Sequence, residues 1–144
     1  MKLSTKVRYG MRAVVEIAHS TRENKTLTIS TIAESQQLSQ KYLESLLVKL
    51  KKRKILQSLR GQKGGYLLNK APGDITVYDI AEALDGEFNL VDCSEKGETC
   101  PRLGQCSTIN LWTHLTNTLV DEMKKITISD LIGKDSFDGG YLGE

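Results

Sequence analysis

A mainly α fold, a winged helix-turn-helix domain with a long helix at its C-terminal end, is predicted by three features of this 144-residue chain. Three apolar stretches at helical spacing occupy residues 5–52, two short apolar runs flank a glycine-rich basic tip at residues 55–69, and a further helical stripe runs over residues 111–126. The length fits one ordinary domain, or one domain with a helical extension. Hydrophobic residues make up 39% and charged residues 26%, the balance of a soluble globular chain and not of a disordered one. No run approaches the ~18 apolar residues of a membrane span, and the N-terminus lacks the apolar core of a signal peptide. A cytoplasmic protein with no membrane partner is expected.

Ser4 is placed to cap a first helix over residues 5–20, where Val7, Met11, Val14, Val15, Ile17 and Ala18 form the apolar stripe. Arg22-Glu23-Asn24-Lys25 is a polar connector. A short second helix over residues 30–36 turns Ile32 and Ala33 inward; Thr28, Ser30 or Thr31 signals its start, and Thr31 with Glu34 fits a capping box. Gln37-Leu38 is the turn. Ser39 caps a third helix, in which Leu43, Leu46, Leu47 and Leu50 follow the i, i+3, i+4, i+7 pattern as far as Lys52. Lys49, Lys51, Lys52, Arg53 and Lys54 crowd positive charge at its C-terminal end, where the helix dipole favours it.

Residues 55–60 and 66–69 read as the arms of a β-hairpin around Gly61-Gln62-Lys63-Gly64-Gly65. Pro72 and Gly73 punctuate, and Thr76 with Asp79 forms a second capping box, opening a helix through Ile80, Ala81 and Leu84. Residues 85–108 have weak periodicity and carry every cysteine. Trp112, Leu115, Leu119, Met123 and Ile126, widened by Leu111 and Val120, then give a helix of about 16 residues. Thr127 with Asp130 offers a third capping box for a short terminal helix through Leu131 and Ile132, and the tail from Lys134, with Gly139-Gly140, is expected to fray. The chain thus divides into a winged helix-turn-helix (1–70), a connecting helix and linker (71–92), a cysteine loop (93–106), the long and terminal helices (107–132) and a tail (133–144).

The formal charge, 20 basic against 18 acidic residues, is only +2. Residues 1–70, however, hold 15 Lys and Arg against 4 Asp and Glu, net +11, while residues 71–144 hold 5 against 14, net −9. So basic an N-terminal half points to a polyanion, here double-stranded DNA, against the plainer reading of segregated solvated charge. In a helix-turn-helix the second helix lies in the major groove, with its N-terminal residues at the base edges. Those residues are Ser39, Gln40, Lys41, Tyr42, Glu44 and Ser45. Gln pairs with adenine, Lys reaches guanine acceptors, Glu accepts from cytosine N4, and Ser reads either. Tyr42 stays open between a phosphate contact and packing, and Leu43, Leu46 and Leu47 form the buried face.

Arg60 and Lys63 stand at the hairpin tip, where a guanidinium suits a narrow A·T-rich minor groove. Gly61, Gly64 and Gly65 let the backbone turn and approach phosphates. A nucleotide phosphate loop is excluded, because the run lacks a Gly-Lys-Ser/Thr ending and a strand-to-helix setting. Lys2, Lys6, Arg8 and Arg12 suit phosphate contacts, although each alone reads equally as a surface charge.

Cys93, Cys100 and Cys106 are spaced C-x6-C-x5-C in one short segment. An odd number in a chain expected in the cytoplasm favours metal or redox chemistry over a disulfide framework. The spacing is wider than the C-x2–4-C pairs of zinc fingers, and Gly97, Pro101 and Gly104 let the backbone wrap something larger than one ion. Soft thiolates so gathered suit an iron–sulfur cluster, whose fourth ligand is then a non-cysteine residue, an exogenous group or a partner's residue. Free thiols and mononuclear zinc are the competing readings. His114, on the long helix, and His19, near the end of the first, read more simply as surface or packing residues. With no catalytic constellation, an enzyme is not expected; a small redox enzyme or cluster carrier predicts no salt-dependent, sequence-specific binding to duplex DNA.

Met1-Lys2-Leu3-Ser4-Thr5-Lys6, Arg8-Tyr9-Gly10, Ser39-x-x-Tyr42-Leu43-Glu44, Arg60-Gly61-x-x-Gly64-Gly65-Tyr66-x-Leu68 and the three-cysteine loop together resemble the IscR-type iron–sulfur-responsive bacterial transcription regulators. Their superfamily also holds nitric-oxide sensors (NsrR), iron regulators (RirA) and cluster-free cysteine-metabolism regulators (CymR). The resemblance runs to Ile132. It implies a homodimer joined along the long C-terminal helix, which becomes a dimerisation helix, and two winged domains on a palindromic operator. It also implies a cluster, 2Fe-2S in preference to 4Fe-4S, held by Cys93, Cys100 and Cys106, with Glu44 and its neighbours in the major groove and Arg60 in the minor groove. The implied function is a repressor whose DNA affinity responds to the cluster; the alternative is a cluster-free thiol-redox or zinc-responsive regulator of the same fold. The fourth ligand departs from the pattern. Ile109 stands where the IscR type has a histidine, and Arg8 where the nitric-oxide sensors have an aspartate. Asn110, His114 and Glu98 are the remaining candidates.

Overall fold

In the computed structural model, which describes residues 2–94 and 100–133, helix α1 (Thr5–Arg22) starts where the Ser4 hydroxyl accepts from the Val7 amide at 3.3 Å. It runs two residues past the predicted end. The Thr21 hydroxyl folds back to donate to the Ile17 carbonyl at 2.8 Å, and the Arg22 guanidinium donates to the Ile132 carbonyl at 2.9 Å.

Helix α2 (Ile29–Gln36) is capped by Thr28, whose hydroxyl accepts from the Thr31 amide at 3.2 Å. The capping box expected from Thr31 and Glu34 does not form. Thr28 already has the extended backbone an N-cap requires, so Thr31 lies inside the helix, with its hydroxyl 2.9 Å from that of Thr28. Gln37 turns the chain at φ +56°, and Ser39 caps α3 (Gln40–Lys52) by accepting from the Tyr42 amide at 3.2 Å. Strands β1 (Leu56–Leu59) and β2 (Gly65–Leu68) pair antiparallel, Leu56 opposite Leu68 and Leu59 opposite Gly65. Leu27 adds a bridge to the outer edge of β2 at Tyr66.

Thr76 and Asp79 make the second expected capping box and open α4 (Val77–Asp85). The long helix α5 (Ile109–Lys125) has 17 residues, and Thr127 with Asp130 makes the third box at α6 (Ile128–Leu131). Val77 donates to the Ile126 carbonyl and Ile128 to that of Ile75, each at 2.9 Å, so the starts of α4 and α6 lie side by side.

One core joins these elements. Val14 and Ile17 of α1, Ile32 of α2, Leu43, Leu46, Leu47 and Leu50 of α3, Leu56, Ile75, Ile80 and Leu84, and Ile128 are all under 2% exposed. Burying such a side chain contributes about 1.5–3 kcal/mol. Gly10 lets α1 cross close to α4: a Cβ there would stand 2.2 Å from Leu84 Cδ1. Helix α5 behaves differently. Met123 of its stripe packs against the core, but Leu111, Leu115 and Leu119 are 49%, 39% and 43% exposed. The buried residue of α5 is the polar Thr116, whose hydroxyl accepts from the Leu90 amide at 3.3 Å. The tail expected to fray lies outside the described residues.

Candidate nucleic-acid interface and cysteine segment

The cap at Ser39 fixes where α3 begins, and the leucine spacing fixes which face meets solvent. Gln40, Lys41, Glu44 and Ser45 are exposed along it, while Leu43, Leu46, Leu47 and Leu50 face the core. Two of the named residues are engaged locally: the Ser39 oxygen holds the cap, and the Ser45 hydroxyl donates to the Tyr42 carbonyl at 2.6 Å. Tyr42 is half-buried, and its ring packs edge-on against Tyr9 with centroids 6.3 Å apart. The guanidinium carbons of Arg8 and Arg12 lie 5.8 and 5.6 Å from the Tyr9 ring centre, an arrangement that attracts cations. Two cations are therefore held near the first turn of α3.

The basic run at the other end of α3 has partners inside the protein. Lys51 donates to the Ser58 hydroxyl at 2.6 Å, Lys49 to the Leu84 carbonyl at 3.1 Å, and Arg53 pairs with Glu82 at 3.4 Å. Much of that charge holds β1 and α4 in place.

Arg60, Gly61 and Lys63 are exposed at the wing tip, with Gly64 and Gly65 half-buried behind them. The tip requires its glycines for its own geometry. Gly61 and Gly65 have φ +104° and +149°, and a Cβ on Gly64 would lie 2.6 Å from the Leu59 carbonyl oxygen. The sequence reading missed the segment that steadies this tip. Leu27 and Tyr66 exchange backbone hydrogen bonds of 3.2 and 2.7 Å, and the Thr26 hydroxyl lies 2.9 and 3.2 Å from the carbonyl oxygens of Lys63 and Gly64. The Tyr66 hydroxyl is pushed above its ordinary pKa by burial and then by the negative charge of Glu44, an electrostatic link between the wing and the exposed face of α3.

All three cysteines are free thiols; Cys93 is exposed and Cys100 and Cys106 are half-buried. Cys93 sits in a short turn of 3-10 helix (Asp92–Ser94), and Cys106 follows another (Leu103–Gln105), three residues before α5. Cys106 Sγ lies 3.2 Å from Thr108 Oγ1. That hydroxyl first, then the backbone amides of Thr108 and Ile109 and the charge of Arg102, hold the thiol below its ordinary pKa and favour the thiolate. Among the described residues, no three His, Cys, Asp or Glu side chains surround one ion position. Asn110 and His114 are exposed on α5, and Glu98 and Gly97 lie outside the described residues.

A reading helix with an exposed polar face, a basic glycine-turned wing and a core that fixes one against the other define the winged-helix class of DNA-binding regulators. The chain belongs to the Rrf2 family of iron-dependent transcriptional regulators, which it matches over residues 3–134, and within it is IscR-like. It is 36% identical over 132 residues to the rrf2 protein of Nitratidesulfovibrio vulgaris, covering 92% of this chain and 87% of that one. Among solved structures it is similar to IscR of T. potens, with a TM-score of 0.75 and 31% identity over 92% of this chain and 86% of that one. It is also similar to CymR, the global cysteine regulator of B. subtilis, with a TM-score of 0.73 and 30% identity over 92% and 96% of the two chains. Among the described residues no helix is long and apolar enough to cross a membrane.

Proposed function

We propose that the chain is a homodimeric, cytoplasmic repressor whose affinity for a palindromic duplex operator depends on an iron–sulfur cluster held by Cys93, Cys100 and Cys106. The carrying observation is the placement of three free thiols in the segment that leads into α5, with Cys106 already biased toward the thiolate form. Thiolates are the ligands such a cluster takes, so the donor chemistry fits. A 2Fe-2S cluster is preferred to 4Fe-4S, with Asn110, His114, Glu98 or an exogenous group completing the set. When bound, the cluster supplies a centre sensitive to iron supply and oxidation.

The remaining work falls to the chain. Ser39, Gln40, Lys41, Tyr42, Glu44 and Ser45 present the major-groove face, and Arg60, Gly61, Lys63, Gly64 and Gly65 present the wing. The cysteine segment is linked to them by two hydrogen bonds: Leu90 is tied to Thr116 of α5, and the last turn of α4 accepts from Lys49 of α3 at Leu84. Two states of the segment that pose α3 differently differ in DNA affinity, and that difference is the signal. The uncovered α5 stripe supports self-association, since it continues into a groove lined by Leu3, Phe88, Leu90 and Met123.

The test is iron and acid-labile sulfide quantitation on anaerobically purified protein. Iron and sulfide are expected in the wild type, and Cys100→Ala is expected to lose both while staying folded; an iron-free wild type overturns the cluster. One observation favours a second reading, a cluster-free thiol switch: Cys106 Sγ lies 3.2 Å from the Thr108 hydroxyl, a contact that favours the thiolate of a reactive thiol as well as of a ligand. Iron-free protein whose DNA affinity is lost on peroxide treatment and recovered with dithiothreitol would establish it.

A further inference from the structure

We infer that Thr26 is a positioning residue for the wing: its hydroxyl, shared between the carbonyls of Lys63 and Gly64, sets the pose in which Arg60 meets DNA. The inference rests on the proposed wing contact with DNA.

The segment between α1 and α2 is anchored on both sides. At the α1 end, the Lys25 amide donates to the Ser20 carbonyl at 2.9 Å, the Ser20 hydroxyl donates to the Lys25 carbonyl at 3.1 Å, and Asn24 takes the left-handed turn at φ +59°. At the α2 end, Thr28 is the helix cap. Between these anchors Leu27 pairs with Tyr66 through both backbone bonds and packs against the core. Two residues further along β2, the Leu68 amide donates to the Thr21 hydroxyl at 3.1 Å. The outer edge of β2 is thus fastened to the end of α1 and to the connector, the same framework that carries α2 and α3.

The tip itself, residues 60–64, lies beyond the paired strands. Within the tip, the Gly64 amide donates to the Gly61 carbonyl at 2.9 Å, which closes the turn on itself without tying it to the body. The side-chain tie from the body to the tip is Thr26, 37 and 38 residues away in sequence from its two acceptors. A single O–H shared between two carbonyls restrains their direction, and with it the peptide planes that follow Arg60. A loop held in its bound pose loses less entropy on binding, so this hydrogen bond is expected to appear in DNA affinity more than in fold stability.

The experiment uses the full chain and a duplex operator selected from a random-sequence library. Thr26→Val keeps the shape and removes the donor; Thr26→Ser keeps the donor. Thr26→Val is expected to bind about three- to tenfold more weakly. In hydroxyl-radical footprints its lost protection is confined to the minor-groove positions that Arg60→Ala also loses. Thr26→Ser should bind within about twofold of wild type, and Thr26→Val should have no further effect in an Arg60→Ala background. If Arg60→Ala alone leaves affinity unchanged, the wing contact is wrong and the inference falls with it. If Arg60→Ala weakens binding while Thr26→Val does not, or if the two losses add, the wing contact stands and the role of Thr26 is overturned.

Discussion

Gly65 shows how much one residue can carry in so small a wing. At φ +149° an L side chain is strained, and a Cβ would stand 2.5 Å from the Leu27 carbonyl oxygen, which accepts from Tyr66. Gly65→Ala is therefore expected to cost about 2 kcal/mol and to break the Leu27–Tyr66 bridge. Thermal unfolding reads the first effect, and faster amide exchange at Tyr66 the second. Arg60 makes no such demand on the fold, being exposed at the tip. Arg60→Ala should leave the melting temperature unchanged and weaken binding most at operators with A·T-rich flanks. Equal loss on all sequences would show that the arginine contributes charge and not groove reading.

Most elements were legible in the sequence because their determinants are local. Val7, Val14, Ile17 and Ala18 recur on one face within α1, and the Thr76–Asp79 and Thr127–Asp130 boxes act across three residues. Thr76→Ala should lower stability by about 1 kcal/mol, a shift of several degrees in melting temperature, because it removes the hydroxyl that accepts from the Asp79 amide while the amide of residue 76 can still donate to the Asp79 carboxylate. The strap at Thr26 and Leu27 was not legible. Its partners lie almost forty residues away, and two residues are too few to show a strand alternation. Nor could residue types show that Lys49, Lys51 and Arg53 of the basic run are spent on Leu84, Ser58 and Glu82, since only packing brings those acceptors near. The cysteine segment was legible as chemistry through its three thiols. Its arrangement was not, because nothing periodic fixes a loop of glycines and polar residues.

At the scale of the whole molecule, charge and hydrophobicity are distributed along different lines. Charge divides near residue 70, at +11 and −9, while the core passes through that point and joins Ile75, Ile80, Leu84 and Ile128 to Val14 and Leu50. Helix α5, which reaches the core through Met123, exposes Leu111, Leu115 and Leu119. Leu115→Glu with Leu119→Glu should convert the proposed dimer to folded monomers in sedimentation and sharply reduce operator affinity, because two half-sites would no longer be held together. An unchanged sedimentation coefficient would remove α5 from the interface. Affinity should also fall steeply as salt rises, in proportion to the phosphates neutralised by the basic half.

The paired starts of α4 and α6 have a mechanical consequence. Hydrogen bonds from Val77 to Ile126 and from Ile128 to Ile75 clasp the two ends of the stretch that carries α4, the cysteines and α5. The two ends of that stretch thus meet at one place, while α4 within it packs into the core through Ile80 and Leu84. In the proposed switch, a displacement at the cysteines would meet this clasp at either end of the backbone. Its ways out are sideways, through side chains braced against neighbouring helices: Leu84 seated against Gly10, and Lys49 on the carbonyl of Leu84. In the proposed switch, those small bearings are where a change in the loop would become a movement of the reading helix.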